Sequence, residues 1–407
     1  MIATISTERR TRALEFGIYR DGDNNLDHIQ SLVLAQAVRV SAQNPSIEFS
    51  VEDTTAERGD VPATWSYTLA DGESRGLRRG ALHDMSSRAN LAAFVALTLD
   101  NAEKAGAQQT WIDLVDHGAG DGGGLEADHA GRVPGIMRED DIAGAIADGV
   151  SLHATRHPED ANRRVDGVCA NQCLMATLGL SSALSHAGVR YLAASPETML
   201  APGVPSEVAS DVAAHLDDPQ AMARGIVDRV METRYFPNEQ GGWSPAAAFD
   251  VFDLEPAKIA AMEAGVKALD AALFEAARDR SQRATIREDA RAIDGMVRFP
   301  SGKHLPWRAD RPALALYDTF AEDGRLPSNV RNAAQIAGAT IRQTVLAHRE
   351  SGDFAPFADA DYGDAAGPTV HFPLSGAQID PWAPMVSETD NAFYKAVGAG
   401  QLTHALA

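Results

Sequence analysis

One histidine and one cysteine, each directly after an apolar strand-like run, are the residues best suited to covalent chemistry. Thr110-Trp111-Ile112-Asp113-Leu114-Val115 runs into Asp116-His117-Gly118-Ala119-Gly120, then into Asp121-Gly122-Gly123-Gly124. Val165-Asp166-Gly167-Val168-Cys169-Ala170 runs into Asn171-Gln172-Cys173-Leu174-Met175. In a parallel sheet, residues just past the carboxyl ends of strands line the ligand crevice. An imidazole there can move a proton near neutral pH, and a thiolate is a strong nucleophile. Gly118 and Gly120 let a substrate backbone approach closely and offer unobstructed N–H donors to an oxyanion.

The chain has two cysteines, and position separates them. Apolar spacing predicts a helix over Leu174 to Ser185, which puts Cys173 at a helix start, where the dipole favours the thiolate. Cys169 lies inside the strand, where a small buried hydrophobe is expected. Taken alone, an Asp-His-Gly triplet is more often structural than catalytic, so the pair matters only if folding brings both residues to one rim.

Five runs read as strands: 13–19, 47–51, 110–115, 165–170 and 191–194. Between them lie helical patterns over 27–41, 91–105, 139–147 and 174–185, with apolar residues recurring every three and four positions. This alternation predicts a mostly parallel sheet covered by helices on both faces. Beyond about Pro205, Ala, Glu, Asp and Arg dominate, and long helical patterns over 255–278 and 329–350 replace strands. A boundary follows, with residues 10–205 as an α/β unit and 206–407 as a mainly helical one packed on it. A late short strand near 368–373 is expected to return to the sheet edge.

In this order the residues resemble the clostripain family of clan CD cysteine peptidases. The resemblance rests on Asp-His-Gly at 116–118 and Cys-Leu-Met at 173–175. It extends to Asp21-Gly22-Asp23-Asn24-Asn25-Leu26, Ala194-Ser195-Pro196-Glu197, Ala248 to Leu254 and Gly367 to Pro373. It implies a caspase-like three-layer α/β/α sandwich and a cysteine endopeptidase acting through His117 and Cys173, with the N–H groups of Gly118 and Cys173 as oxyanion donors. It also implies a basic P1 residue received near Asn171, Ser195 and Glu197. The family carries Asp where this chain has Asn171, and an amide supplies no full charge to a guanidinium. Glu197 is the candidate replacement. Activation by self-cleavage between the histidine and the cysteine, with Arg132 the favoured position, is a further implication, as is calcium at the Asp21–Asn25 run. That run lacks the terminal bidentate Glu of an EF-hand, so a helix-capping turn is the simpler account.

Composition narrows the remaining classes. With 407 residues, 44% hydrophobic content and 23% charged residues, the chain can bury a large core and is not broadly disordered. A formal charge of −21 argues against binding a phosphate backbone. No stretch is long and apolar enough for a membrane span, and the first residues lack the apolar core of a secretory signal, so a cytoplasmic protein is expected. Its expected partners are protein or peptide substrates, with an activating partner or ligand as restraint and no resident metal. The competing reading is a signal-gated regulatory or peptide-binding module of the same fold with restricted or lost proteolysis.

Overall fold

A computed structural model of the chain describes residues 11–55, 63–127, 135–236, 242–293, 310–350, 367–372, 374 and 391–406. The first half runs β1 (Leu14–Arg20), α1 (Asp27–Gln43), β2 (Ile47–Thr55), β3 (Ala63–Ala70), β4 (Glu73–Gly80), α2 (Arg88–Ala105) and β5 (Gln109–Val115). It continues through β6 (Gly124–Ala127), β7 (Gly135–Met137), α3 (Glu139–Arg156), β8 (Gly167–Asn171), α4 (Leu178–His186) and β9 (Tyr191–Ala194). The second half adds α5 (Val208–Ala214), α6 (Pro219–Glu232), β10 (Ala248–Asp253), α7 (Pro256–Ala276), α8 (Arg280–Ala292) and β11 (Asp310–Pro312). Then come α9 (Ala313–Glu322), α10 (Ser328–Arg342), β12 (Val345–Glu350), β13 (Thr369–His371), α11 (Ala392–Val397) and α12 (Ala399–Leu406).

Nine strands form one sheet in the order β12-β10-β9-β8-β5-β1-β2-β3-β4. Its centre, β2 to β9, is parallel and consists of the five strands expected from the sequence. Antiparallel strands extend both edges. Side chains alternate between the faces, as strand geometry requires. Ile112, Leu114, Val168 and Ala170 enter one core cluster with α2, α3, α4, α7, α9 and α10, while Trp111, Val115 and Cys169 enter another with α1, α5 and α6. Helices on both faces of one sheet make a three-layer α/β/α sandwich. No helix among the described residues is long and apolar enough to cross a membrane.

Three expectations about the elements change. The pattern over 329–350 splits into α10 and β12, because the last six residues pair with β10 as an edge strand. The late strand does not join the main sheet; β13 pairs with β11 in a separate ribbon, since β12 already occupies that edge. A cut at residue 205 would divide the sheet, to which β10 and β12 contribute from the second half.

Candidate active site

Strand order places the site. The chain leaves β1 for β2 on one side and returns to β5 on the other, so the order reverses between β1 and β5. At such a switch point the connecting loops diverge and leave a crevice beyond the strand ends. The loops after β1, β5 and β8 meet there.

His117 and Cys173 reach that rim in step. β5 and β8 run parallel with Val115 opposite Asn171, so each residue lies two positions past the last paired residue of its strand. Gly118 joins the two loops: a β-carbon on it would collide with the Cys173 carbonyl oxygen and come within 3.0 Å of the Cys173 nitrogen. The Gln172 side-chain amide adds a bond to the His117 carbonyl at 3.2 Å. Ala119 N–H donates to Gly123 O and Leu125 N–H to His117 O, folding the loop back on itself.

The histidine ring is held from the first loop. Its Nε2 lies 2.8 Å from Asn25 Oδ1. With the amide oxygen as acceptor, Nε2 carries the proton and the lone pair of the neutral ring is on Nδ1. Asn24 donates through Nδ2 to Asp116 Oδ1 at 2.7 Å and accepts the Leu26 N–H on its own Oδ1. Asp21 Oδ1 accepts from Asp23 N–H and the Thr54 hydroxyl. Arg20 is buried beneath, bonded to Asp53 at 2.5 Å and to Asp27 at 3.0 Å. A fixed Asx turn results. Sequence reasoning noticed this run but missed that Asn25 orients the histidine; two adjacent asparagines at a strand's carboxyl end were the available signal.

The environment of Cys173 differs from the one expected. α4 begins only at Leu178, and Cys173 is followed by Leu174 in the left-handed region at φ 68°. A helix terminus therefore does not act on the sulfur. Instead the Met199 N–H points at Sγ from 3.3 Å, while the Met199 carbonyl stands 3.6 Å away. A backbone donor aimed at sulfur stabilises the thiolate without a helix. Cys173 is half-buried, whereas Cys169 is sealed in the core beside Asp113. Burial pushes the Cys169 thiol well up, and the neighbouring Asp113 adds to it.

Two residues expected to contact substrate serve the loops instead. Asn171 is 3% exposed; its Oδ1 accepts the Val204 N–H at 2.7 Å and its Nδ2 donates to Val204 O at 3.2 Å. The fully buried Ser195 hydroxyl bridges the carbonyls of Glu197 and Ala248. The Ser195–Glu197 strip in turn accepts the N–H groups of Leu174 and Ala176, which fixes the segment after Cys173. Both residues lie on the loops that support the rim, with their polar atoms committed to backbone groups there. Glu197 stays beside them with its carboxylate 3.3 Å from the Thr198 N–H. Arg132 lies outside the described residues.

Solved structures share this architecture. A secreted C11 cysteine protease from Bacteroides thetaiotaomicron, in complex with an irreversible peptide inhibitor, superposes with a TM-score of 0.61 at 13% identity over 95% of this chain and 98% of its own. An inactive zymogen C11 protease from Parabacteroides distasonis gives 0.59 at 15% identity over 95% and 98%. The fold is that of the C11 cysteine proteases. No family model and no curated protein sequence matches the chain. The caspase-like sandwich expected from the motifs is thus found in three dimensions where identity is too low to carry it. The expected cytoplasmic placement is withdrawn, because the Bacteroides thetaiotaomicron protease of the same fold is a secreted one. Two cysteines without a disulfide are compatible with either compartment, so composition never discriminated between them.

Proposed function

We propose that this chain is a cysteine endopeptidase in which Cys173 is the nucleophile and His117 the proton carrier. The Cys173 thiol first passes its proton to the neutral His117 ring, giving thiolate and imidazolium; the thiolate then attacks the carbonyl carbon of a peptide bond, a C–S bond forms, and the carbonyl electron pair moves onto oxygen. The N–H groups of Gly118 and Cys173, brought together where the two loops abut, are the oxyanion donors. Collapse expels the amine, which takes a proton from the His117 imidazolium. The neutral ring then removes a proton from water, the resulting hydroxide opens the thioester, and the carboxylate leaves with Sγ restored as thiolate. Asn25 is the residue that keeps the ring in register for both transfers.

The observation that carries this reading is the abutment of Gly118 on the Cys173 backbone at the carboxyl rim of paired parallel strands. A binding module has no use for a half-exposed sulfur faced by a backbone donor. A basic P1 residue is the preference we propose, with Glu197 supplying the charge, because Asn171 is both neutral and committed to Val204. Self-cleavage after Arg132 would be activation of the enzyme by its own specificity.

A thiol-reactive peptide probe with Arg or Lys at P1 tests the proposal. Labelling is expected in the wild type and in Cys169→Ala, and none in Cys173→Ala. Labelling that persists in Cys173→Ala, or is absent from the wild type after cleavage at Arg132 and with every P1 residue of a positional library, refutes it.

A further inference from the structure

The turn that follows the histidine loop holds a buried side chain that the peptidase reading does not use. Asp121 sits in the short Gly120–Gly122 turn and is 5% exposed, yet neither of its carboxylate oxygens is in a well-formed hydrogen bond among the described residues; the Tyr394 hydroxyl and the Asp310 carboxyl are the polar groups that approach it. Two residues from the far end of the chain face it. Asp310 and His371 are directly opposite one another across the β11–β13 ribbon, with His371 Nδ1 2.9 Å from Asp310 Oδ1. Both are buried. One ligand atom from each of Asp121, Asp310 and His371 falls within 4.8 Å of the other two.

We infer that Asp121, Asp310 and His371 bind one divalent transition-metal ion, of the zinc or manganese kind. Three features carry this. Gly120, at φ 64°, admits Asp310 so closely that a β-carbon there would strike its carboxylate. Two carboxylates are thereby held together in a dry place, an arrangement that costs free energy unless a cation or protons compensate it. The next charged group, Glu139, is also acidic, and its oxygens are taken by the Thr177 hydroxyl and the Asn391 amide. The Tyr394 hydroxyl accepts the His371 backbone N–H at 2.8 Å and faces Asp121, so it pins the strand that carries the imidazole against the turn that carries the carboxylate. An imidazole among carboxylates selects zinc or manganese over calcium or magnesium, which prefer oxygen alone. The ion would tie the turn just beyond His117 and Gly118 to the ribbon of the second half.

A second group, Asp100, His153 and His157 on α2 and α3, also satisfies the distance test. There the rings stack at 4.9 Å and Asp100 is already paired with Arg156 at 3.1 Å. It serves as the control.

Calorimetric titration of the chelator-stripped full chain with Zn²⁺ or Mn²⁺ alone decides the matter. One equivalent is expected, with affinity lowered at least about tenfold in Asp121→Asn and in His371→Gln and unchanged in His157→Gln. The ion should also raise the melting temperature of the wild type and leave Asp121→Asn unmoved. No stoichiometric binding by the wild type, binding that survives both substitutions, or binding of Ca²⁺ alone would overturn the inference. Where the variants fail to fold, the wild-type stoichiometry and an anomalous-scattering peak between the three side chains in crystals decide it. Neither readout depends on peptidase activity.

Discussion

Cys169 and Cys173 belong to one short run of chain, yet their surroundings are opposite. Cys169 is inside β8, packed in the core, level with the buried Asp113 of β5. Cys173 is past the strand's end, half-buried, with the Met199 N–H 3.3 Å from its sulfur. Residue type and local sequence hardly distinguish them. What does is the position of the last paired residue, Asn171: before it a thiol fills space, and after it a thiol meets the crevice.

The strongest way to break that contrast is to exchange the cysteines' fates. Cys173→Ala should lower peptide hydrolysis by roughly four orders of magnitude or more, while Cys169→Ala should keep the wild-type rate in a steady-state assay. Equal losses from both would mean that strand position does not decide reactivity here.

The buried side of the contrast can be titrated. Burial pushes the Asp113 carboxyl up to about 7, against hydrogen bonds from Cys169 and Asn171 that lower it. Below about pH 4 the group is protonated folded and unfolded and contributes nothing to stability. As pH rises toward about 7 the unfolded chain ionises while the folded one retains its proton, so stability falls. Above about pH 7 the full penalty is present, at most about 4 kcal/mol for a shift of about three pKa units. Asp113→Asn removes the penalty. Urea unfolding should show the variant gaining on the wild type from pH 4 to pH 8; a constant difference over that range would refute the assignment.

At the rim, Gly118→Ala forces a methyl group into the Cys173 carbonyl. Moving the loop displaces both the histidine and an oxyanion donor. A fall in kcat/KM of roughly 100-fold is expected, the scale of losing one such donor, with the probe still labelling Cys173 slowly. Unchanged kinetics would separate the two loops.

The parallel centre was legible because its strands are short apolar-rich runs that alternate with segments of helical periodicity. Register was not: the apolar runs end at 115 and 170, two and three residues before His117 and Cys173, and only the pairing of Val115 with Asn171 makes the two steps equal. The edges were less legible than the centre. β4, Glu73–Gly80, is exposed along its whole length and carries three arginines, so no alternation betrays it; only Asp71-Gly72, both at positive φ, marks the hairpin that makes it. β12 hid behind the periodicity of α10. Met199 left no trace, because its contribution is a backbone N–H, a group every residue but proline has.

Asn171 tests how far a family pattern can be read onto one position. The pattern places Asp there as a receptor for a basic side chain, and Asn171→Asp would seem to restore it. Here the amide clasps Val204 from both sides, and Gly203 passes so close that a β-carbon would meet its oxygen. A carboxylate keeps the bond from the Val204 N–H but turns an oxygen on the Val204 carbonyl, and adds a charge beside buried Asp113. Losing a buried donor costs about 1–3 kcal/mol. Asn171→Asp should therefore lower the melting temperature without improving cleavage after Arg or Lys, while Glu197→Gln should weaken that cleavage at unchanged stability. A stable Asn171→Asp variant with enhanced cleavage after Arg would show instead that the side chain turns outward to the substrate. In that case the clasp on Val204 is dispensable.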